Sequence, residues 1–144
     1  MAADGLQVII VDDFEPWRSF ACSALKEHSK SWLVHEATDG LEAVQKAREL
    51  QPDLILLDIG LPKLNGIEAA RQIRDQCPKT RILFLSEQQS IDVVREALST
   101  GAHGYVLKSD GTELLNAVEA VFQDRIFVSK TLAQLLGSRN VDLN

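Results

Sequence analysis

The feature that most constrains the fold is an alternation, repeated five times, between short apolar runs and segments with helical periodicity. Leu6–Val11 is nearly continuous in apolar residues, as expected for a parallel strand that helices cover on both faces. The predicted strands are Leu6–Val11, Trp32–Ala37, Leu54–Leu57, Arg81–Leu85 and Gly104–Leu107. Strands that alternate with helices predict an α/β fold, here a doubly wound (βα)5 five-stranded parallel sheet in a single domain.

Five helices are predicted, one after each apolar run. Their starting points are Pro16, Gly40, Gly66, Ile91 and either Asp110 or Thr112. Proline suits a first helical turn, and the residues that precede the next three helices are good N-caps, namely Asp39, Asn65 and Ser90. In the first helix the predicted apolar stripe is Trp17, Phe20, Ala21, Ala24 and Leu25.

The pattern changes after about Asp124. The apolar triplet Ile126-Phe127-Val128 is followed by Ser129–Leu136, which has the length and spacing of a short capped helix. We therefore expect one domain over residues 1–124 and a C-terminal tail over residues 125–144.

Charge and composition limit the kinds of partner. The net charge of -6 argues against nucleic-acid binding by this chain alone, since phosphates repel a negative surface. Cys22 and Cys77 fit no zinc spacing and indicate reduced cysteines. No apolar run reaches the length of a membrane span and no signal peptide is evident, so a cytoplasmic protein without membrane contact is expected.

Polar side chains follow four of the predicted strands. Asp12 and Asp13 come after the first strand, Asp58 after the third, Ser86 after the fourth and Lys108 after the fifth. The carboxyl ends of parallel strands meet at one edge of such a sheet, where ligands bind. Three acids, a hydroxyl and an ammonium at that edge predict a small site for phosphoryl groups and a divalent metal.

Each of these residues also has a plain structural interpretation. Asp12 and Asp13 could cap a helix, which stabilises it by about 0.3–1 kcal/mol, and Asp58 could be a turn residue before Gly60. The occurrence of all these residues together at one edge of the sheet is harder to explain in that way. Three clustered carboxylates raise each other's pKa unless a cation neutralises them, and oxygen-only ligands suit Mg²⁺.

The order and placement of these residues resemble the response-regulator receiver family, whose fold is flavodoxin-like. The resemblance covers about Leu6 to Phe122. It implies that Asp58 is the phosphoacceptor and that Asp12, Asp13 and Asp58 bind Mg²⁺ together with the carbonyl of Gly60.

The same resemblance implies roles for three further residues. Ser86 and Tyr105 would form the switch, and Lys108 would pair with the phosphoryl group. It further implies a phosphorylation-activated signalling switch that a sensor histidine kinase phosphorylates. The face formed by helix 4, strand 5 and helix 5 would then change its partner preference. The resemblance implies as well that the chain would dephosphorylate itself and would not be a turnover enzyme.

Three segments look most like receivers of the NarL/LuxR-type subfamily. They are Asp58-Ile59-Gly60-Leu61-Pro62, Gly104–Ser109 and Phe127-Val128-Ser129. Members of that subfamily carry a helix-turn-helix domain after the receiver. The tail would then be the start of a linker helix, DNA binding would reside in an absent C-terminal domain, and phosphorylation could produce a homodimer.

The sequence departs from the family pattern at two positions. Many receivers have a cis proline after the strand-5 lysine, where this chain has Ser109. The sequence therefore does not decide whether the Lys108–Ser109 peptide bond is cis or trans. The residue after the strand-4 hydroxyl is usually small, whereas here it is Glu87. We expect Glu87 to modulate phosphorylation, because a carboxylate beside the acceptor repels anionic donors.

Other functions remain open at this stage. A stand-alone receiver, or a pseudo-receiver that binds partners without taking phosphate, would use the same fold. A haloacid-dehalogenase-like phosphatase also has a strand-end aspartate nucleophile, but it requires a second acid where this chain has Gly60. A nucleotide-binding module is less favoured, since neither GxGxxG nor GxxxxGK[ST] occurs.

Overall fold

A computed structural model of the chain describes residues 5–138 and shows a six-stranded parallel sheet with helices on both faces. The strands are β1 (Gln7–Val11), β2 (Leu33–Ala37), β3 (Leu54–Leu57), β4 (Arg81–Ser86), β5 (Gly104–Leu107) and β6 (Phe127–Val128). Their order is β2-β1-β3-β4-β5-β6, and every neighbouring pair is parallel. The doubly wound α/β prediction is confirmed, with one strand more than the five expected.

In the described part of the chain, six α-helices accompany the sheet. They are α1 (Glu15–His28), α2 (Gly40–Leu50), α3 (Gly66–Gln76), α4 (Ile91–Ser99), α5 (Leu114–Phe122) and α6 (Lys130–Ser138). The side chains of Asp39 and Asn65 accept hydrogen bonds from the third residues of α2 and α3, as N-caps do. Ser90 occupies the N-cap position of α4, but its side chain makes no capping hydrogen bond. No helix within residues 5–138 is long and apolar enough to cross a bilayer.

The sheet buries a hydrophobic cluster on each face. Residues of α2, α3 and α4 pack on one face, and residues of α1 and α5 pack on the other. On α1 the buried positions are Ala21, Cys22 and Leu25, whereas Phe20 is 42% exposed and Trp17 is half-buried. The predicted stripe is therefore wrong at Phe20. The Trp17 and Phe20 rings contact each other edge to face and approach Gly111 instead of the sheet.

The segment after β5 differs from the prediction. Lys108–Glu113 forms a 3₁₀ helix with a kink at Asp110, and α5 begins only at Leu114. The carboxylate of Asp110 accepts hydrogen bonds from the backbone N–H and the hydroxyl of Thr131. Asp110 therefore caps the tail helix α6 and not α5. No cis peptide bond occurs within residues 5–138, so the Lys108–Ser109 bond is trans.

The tail packs against β5 and the 3₁₀ helix. The Ser129 N–H donates to the carbonyl of Tyr105 at 3.0 Å, and the Leu107 N–H donates to the Ser129 hydroxyl at 3.1 Å. Leu132 and Leu136 are buried, and Leu132 belongs to the same hydrophobic cluster as Tyr105. The helix predicted in the tail is thus present, and it covers the sheet beyond β5.

Candidate functional site

The site begins with the positions of two adjacent strands. Val11 of β1 is the register partner of Leu57 of β3, and the Asp58 N–H donates to the carbonyl of Val11 at 3.1 Å. Asp12 and Asp58 consequently follow neighbouring strands at the same level of the sheet. One carboxylate oxygen from each of Asp12, Asp13 and Asp58 lies within 4.8 Å of the others. The sheet thereby brings the three predicted acids together.

Lys108 completes this cluster from the end of β5. Its Nζ lies 2.8 Å from Asp12 Oδ2 and 3.1 Å from Asp58 Oδ2. The side chains of Lys108, Asp12 and Asp58 are buried, whereas that of Asp13 is exposed. A buried ammonium between two buried carboxylates supplies the opposite charge that each would otherwise lack.

The pKa values of the cluster reflect both burial and pairing. Burial raises the pKa of Asp12, although the hydrogen bonds from Lys108 and the Phe14 N–H oppose that shift. Burial alone would lower the pKa of Lys108, but the hydrogen bond to Asp12 and the charges of Asp58 and Asp12 raise it on balance. The lysine is accordingly fully charged at neutral pH.

The carboxylate of Asp58 is held at both oxygens. Oδ1 accepts from the N–H of Ile59 at 2.7 Å, and Oδ2 contacts Lys108. Helix α3 starts directly against this residue: a Cβ at Gly66 would lie 1.9 Å from the Asp58 carbonyl oxygen. Only glycine fits at that position, so the beginning of α3 fixes the loop that carries Asp58.

Ser86 and Tyr105 are buried, and their hydrogen bonds meet at Gln88. The Ser86 hydroxyl accepts from the Gln88 N–H at 3.2 Å, and the Tyr105 hydroxyl donates to the Gln88 carbonyl at 2.9 Å. Burial raises the pKa of Tyr105 to about 12. The two predicted switch residues are therefore joined through the segment after β4.

Two other predicted residues lie at the rim. Gly60 is exposed in the loop after Asp58, and Glu87 is exposed directly after Ser86. Since Glu87 faces solvent, its side chain does not fill the site.

Sequence reasoning missed two residues that contact the cluster. Arg18 donates from Nη1 to the Asp12 carbonyl at 2.8 Å and pairs through Nε with Glu36 at 2.8 Å, which fixes the turn between β1 and α1. The ring centroid of Trp17 lies 5.4 Å from Lys108 Nζ. The only sequence signal for these two residues is weak: each has a large side chain in the first turns of the helix that follows the acid pair.

The arrangement has the elements of a phosphoryl-transfer site. Asp58 offers a nucleophilic carboxylate, Lys108 offers a cation for phosphoryl oxygens, and the acids offer an all-oxygen ligand set of the kind that Mg²⁺ prefers.

A family model described as the response regulator receiver domain matches residues 8–119. The chain is similar to the transcriptional regulatory protein DegU of Brevibacillus brevis, with 35% identity over 124 residues that cover 85% of this chain and 52% of that protein. It is similar to the response regulator protein VraR of Staphylococcus aureus (strain COL), with 35% identity covering 85% of this chain and 62% of that protein. The chain thus spans roughly half to two-thirds of such relatives.

Solved structures give the same result. A LuxR-family two-component response regulator from Aurantimonas sp. SI85-9A1 has a TM-score of 0.85 and 35% identity, over 96% of this chain and 99% of that one. The signal receiver domain of the putative response regulator NarL from Mycobacterium tuberculosis has a TM-score of 0.77 and 32% identity, over 85% of this chain and 100% of that one. With the acid cluster, the fold and these similarities together, the chain belongs to the receiver domains of two-component response regulators and is related to the LuxR/NarL-type transcriptional regulators.

Proposed function

We propose that Asp58 is the residue through which this receiver is switched, by accepting a phosphoryl group from the phosphohistidine of a sensor histidine kinase. The observation that carries the proposal is the pairing of the buried Asp58 carboxylate with the Lys108 ammonium at 3.1 Å, inside a cluster of three acids. A structural ion pair alone would not require the two further carboxylates of Asp12 and Asp13.

In the proposed reaction the Asp58 carboxylate attacks phosphorus and forms a P–O bond as the P–N bond to the kinase histidine breaks. The electron pair of that bond leaves with the imidazole nitrogen. The Lys108 ammonium then contacts the phosphoryl oxygens. Water later attacks the phosphorus and releases phosphate, which regenerates the carboxylate, so the chain turns over no substrate other than its own phosphoryl group.

The oxygen donors present fit Mg²⁺. We propose Asp13, Asp58 and the Gly60 carbonyl as direct ligands, with Asp12 acting through water. When bound, the ion would neutralise charge on the transferred phosphoryl group. Asp13 is the exposed member of the cluster, and its position suits the entry of a hydrated cation.

The proposed switch uses Ser86 and Tyr105. Phosphorylation would draw the Ser86 hydroxyl toward the new oxygens and away from the Gln88 N–H. The hydrogen bond from Tyr105 to the Gln88 carbonyl would then change, because both bonds share one short segment. The face made by α4, β5 and α5 would respond, and one consequence would be a phosphorylation-dependent homodimer.

The relatives that this chain matches are longer than it is. We propose a receiver over residues 1–124 and the start of a linker helix over residues 125–144, of which residues 1–4 and 139–144 lie outside the described part. In this proposal a cytoplasmic DNA-binding domain follows the linker, and the receiver regulates it. A stand-alone receiver is the alternative.

The test is labelling by a small phosphodonor such as acetyl phosphate with Mg²⁺, read by intact mass. One phosphoryl adduct is expected, and Asp58→Ala should abolish it, whereas Asp92→Ala should not, because Asp92 is an exposed aspartate on α4. An adduct that persists in Asp58→Ala would refute the assignment. A parent chain that takes no label would instead be a pseudo-receiver.

The same assay tests Glu87. Its exposed carboxylate should repel an anionic donor, so Glu87→Ala should take label faster, and more so at low salt. A rate that is unchanged or lower would show that Glu87 has no such effect.

A further inference from the structure

The Lys108 ammonium has an aromatic neighbour in addition to its two acids. Its Nζ lies 5.4 Å from the centroid of the Trp17 ring, within the range of about 6 Å in which a cation is attracted to an indole face. Lys108 is only 6% exposed. Such a contact is stronger when the cation is desolvated, because water then competes less for the ammonium.

The indole is itself held in place. Phe20 contacts the Trp17 ring edge to face, with 5.5 Å between the ring centroids. On another side a Cβ at Gly111 would lie 3.3 Å from the indole Cζ3, which is tighter than an ordinary contact. Gly111 belongs to the 3₁₀ helix that begins at Lys108. Trp17 therefore packs against both the head group of Lys108 and the backbone that follows it.

The partners of Lys108 differ in how phosphorylation affects them. Asp58 is a carboxylate before the reaction and an acyl phosphate after it, so its contact with the ammonium must change. The indole face carries no titratable or transferable group and is the same before and after. A neutral contact of this kind can keep the ammonium at the site while its anionic partner is exchanged.

We propose that Trp17 is a positioning residue for phosphoryl transfer: its indole face holds the Lys108 ammonium where the phosphoryl oxygens arrive. The inference rests on the proposed function, since it assumes that Asp58 accepts the phosphoryl group. Trp17 itself touches no reacting atom and acts through Lys108. A loss of about 3- to 10-fold in the maximal labelling rate corresponds to the free energy of one partly buried cation–π contact.

A small phosphodonor makes the test specific. Because acetyl phosphate needs no protein surface, a role of Trp17 in docking a kinase would leave this reaction unchanged. Labelling rates are measured against donor concentration for the parent, Trp17→Leu and Trp17→Phe, each also in the Lys108→Met background. Folding of each variant is checked by its thermal unfolding midpoint.

Trp17→Leu should lower the maximal rate, with little change in the donor concentration that gives half of it, and Trp17→Phe should recover part of the loss. In the Lys108→Met background Trp17→Leu should have no further effect. An equal loss in that background would overturn the inference, and so would a Trp17→Leu rate equal to that of the parent. A parent that takes no label would overturn the proposed function and this role with it.

A second readout needs neither metal nor phosphodonor. The chain has two tryptophans, and Trp32→Phe leaves Trp17 as the only one. In that background Lys108→Met should shift or brighten the Trp17 fluorescence of the metal-free protein, because the ammonium is removed from the indole face. A matched control is Lys79→Met, an exposed lysine in the turn between α3 and β4. Identical spectra for Lys108→Met and the control would overturn the contact itself.

Discussion

Lys108 explains how the chain tolerates its acid cluster. An isolated buried carboxylate is costly, and Asp12 and Asp58 would also repel each other. The ammonium lies within 3.1 Å of both and satisfies each with a charge-assisted hydrogen bond. Lys108 lies within ion-pair distance of Asp12 and Asp58, whereas Asp13 is exposed, and we propose Asp13 as the carboxylate that meets a further cation.

The proposed role of Asp13 as a metal ligand leads to a prediction about Mg²⁺ affinity. Asp13→Ala should weaken Mg²⁺ binding more than tenfold, or about 1.4 kcal/mol, when measured by titration calorimetry. Glu15→Ala is a control of equal charge, since it removes another exposed acid from the start of α1. Removal of a repelling acid should also leave the metal-free protein at least as stable as the parent. Equal affinities in Asp13→Ala and the parent would contradict the assignment.

Tyr105 offers a prediction about pH. It is the only tyrosine, so the ultraviolet absorbance of tyrosinate reports this residue alone. Burial raises its pKa from 10.0 to about 12. The folded state therefore favours the protonated phenol: the stabilisation is complete below pH 10 and is lost as the pH rises toward 12. Linkage gives a loss of roughly 2–3 kcal/mol across that interval.

Spectrophotometric titration of the native protein should place the midpoint near 12, against about 10 in denaturant. Tyr105→Phe should remove the signal and, with it, this part of the alkaline loss of stability. A native midpoint near 10 would mean that the phenol is hydrated and not fixed to the Gln88 carbonyl.

At the residue scale the sequence predicted positions better than contacts. Asp12, Asp13, Asp58 and Lys108 were identified because each follows a strand, and strand ends converge by topology. The pairing of Lys108 with Asp12 was not predicted, because it depends on how far a flexible side chain reaches. The same holds for Trp17, whose apolar character gave no indication that it faces a lysine.

At the scale of elements, the 3₁₀ helix and the tail belong together. Asp110 and Glu113 accept hydrogen bonds from the first N–H groups of α6, which would otherwise lack partners. An acid near a helix start has the same local pattern whichever helix it caps. For that reason the sequence predicted either Asp110 or Thr112 as the start of α5, while the folded chain uses Asp110 for a helix that lies later in the sequence.

Ser129 provides a test of how the tail is attached. Its buried hydroxyl accepts from the Leu107 N–H, so Ser129→Ala leaves a buried donor without a partner, at a cost of about 1–3 kcal/mol. Amide hydrogen exchange should accelerate at Leu107 and across α6. Ser99→Ala is the matched control, because that exposed hydroxyl bonds only within its own helix. Unchanged exchange at Leu107 in Ser129→Ala would show that the tail is held by its leucines alone.

At the scale of the whole molecule, the distribution of charge argues against DNA binding by this chain itself. The net charge is -6, and α6 carries a single base, Lys130. Its Leu132 and Leu136 are buried, and Leu132 packs in the hydrophobic cluster on one face of the sheet. A helix whose apolar side is already packed and whose polar side is nearly free of bases lacks what a major groove requires.

The chain alone should therefore not bind DNA. A mobility-shift assay at low salt with mixed-sequence duplex, with and without acetyl phosphate, is expected to leave the duplex unshifted. Low salt is the stringent condition, because it favours even weak contacts with phosphates. A shifted complex under either condition would make this chain itself a DNA-binding protein.

The fold class followed from five repeats of one pattern, and no single residue decided it. The sixth strand was not predicted, because its two residues, Phe127 and Val128, are too few to show the alternation of a strand. The return of the tail to the sheet could not be predicted from the sequence, since it depends on the register of β6 beside β5.

The position of β6 also affects how the protein behaves at high concentration. In a sheet ending at β5 two strand edges would be open, and a molecule with two open edges can add neighbours on both sides to form a fibre. Here β6 and the tail cover one side, and β6 offers only two residues of new edge. Within the described residues β2 is the longer open edge. Strand addition at β2 alone would join two molecules and then stop, so we expect any edge-to-edge association of the folded chain to end at a pair.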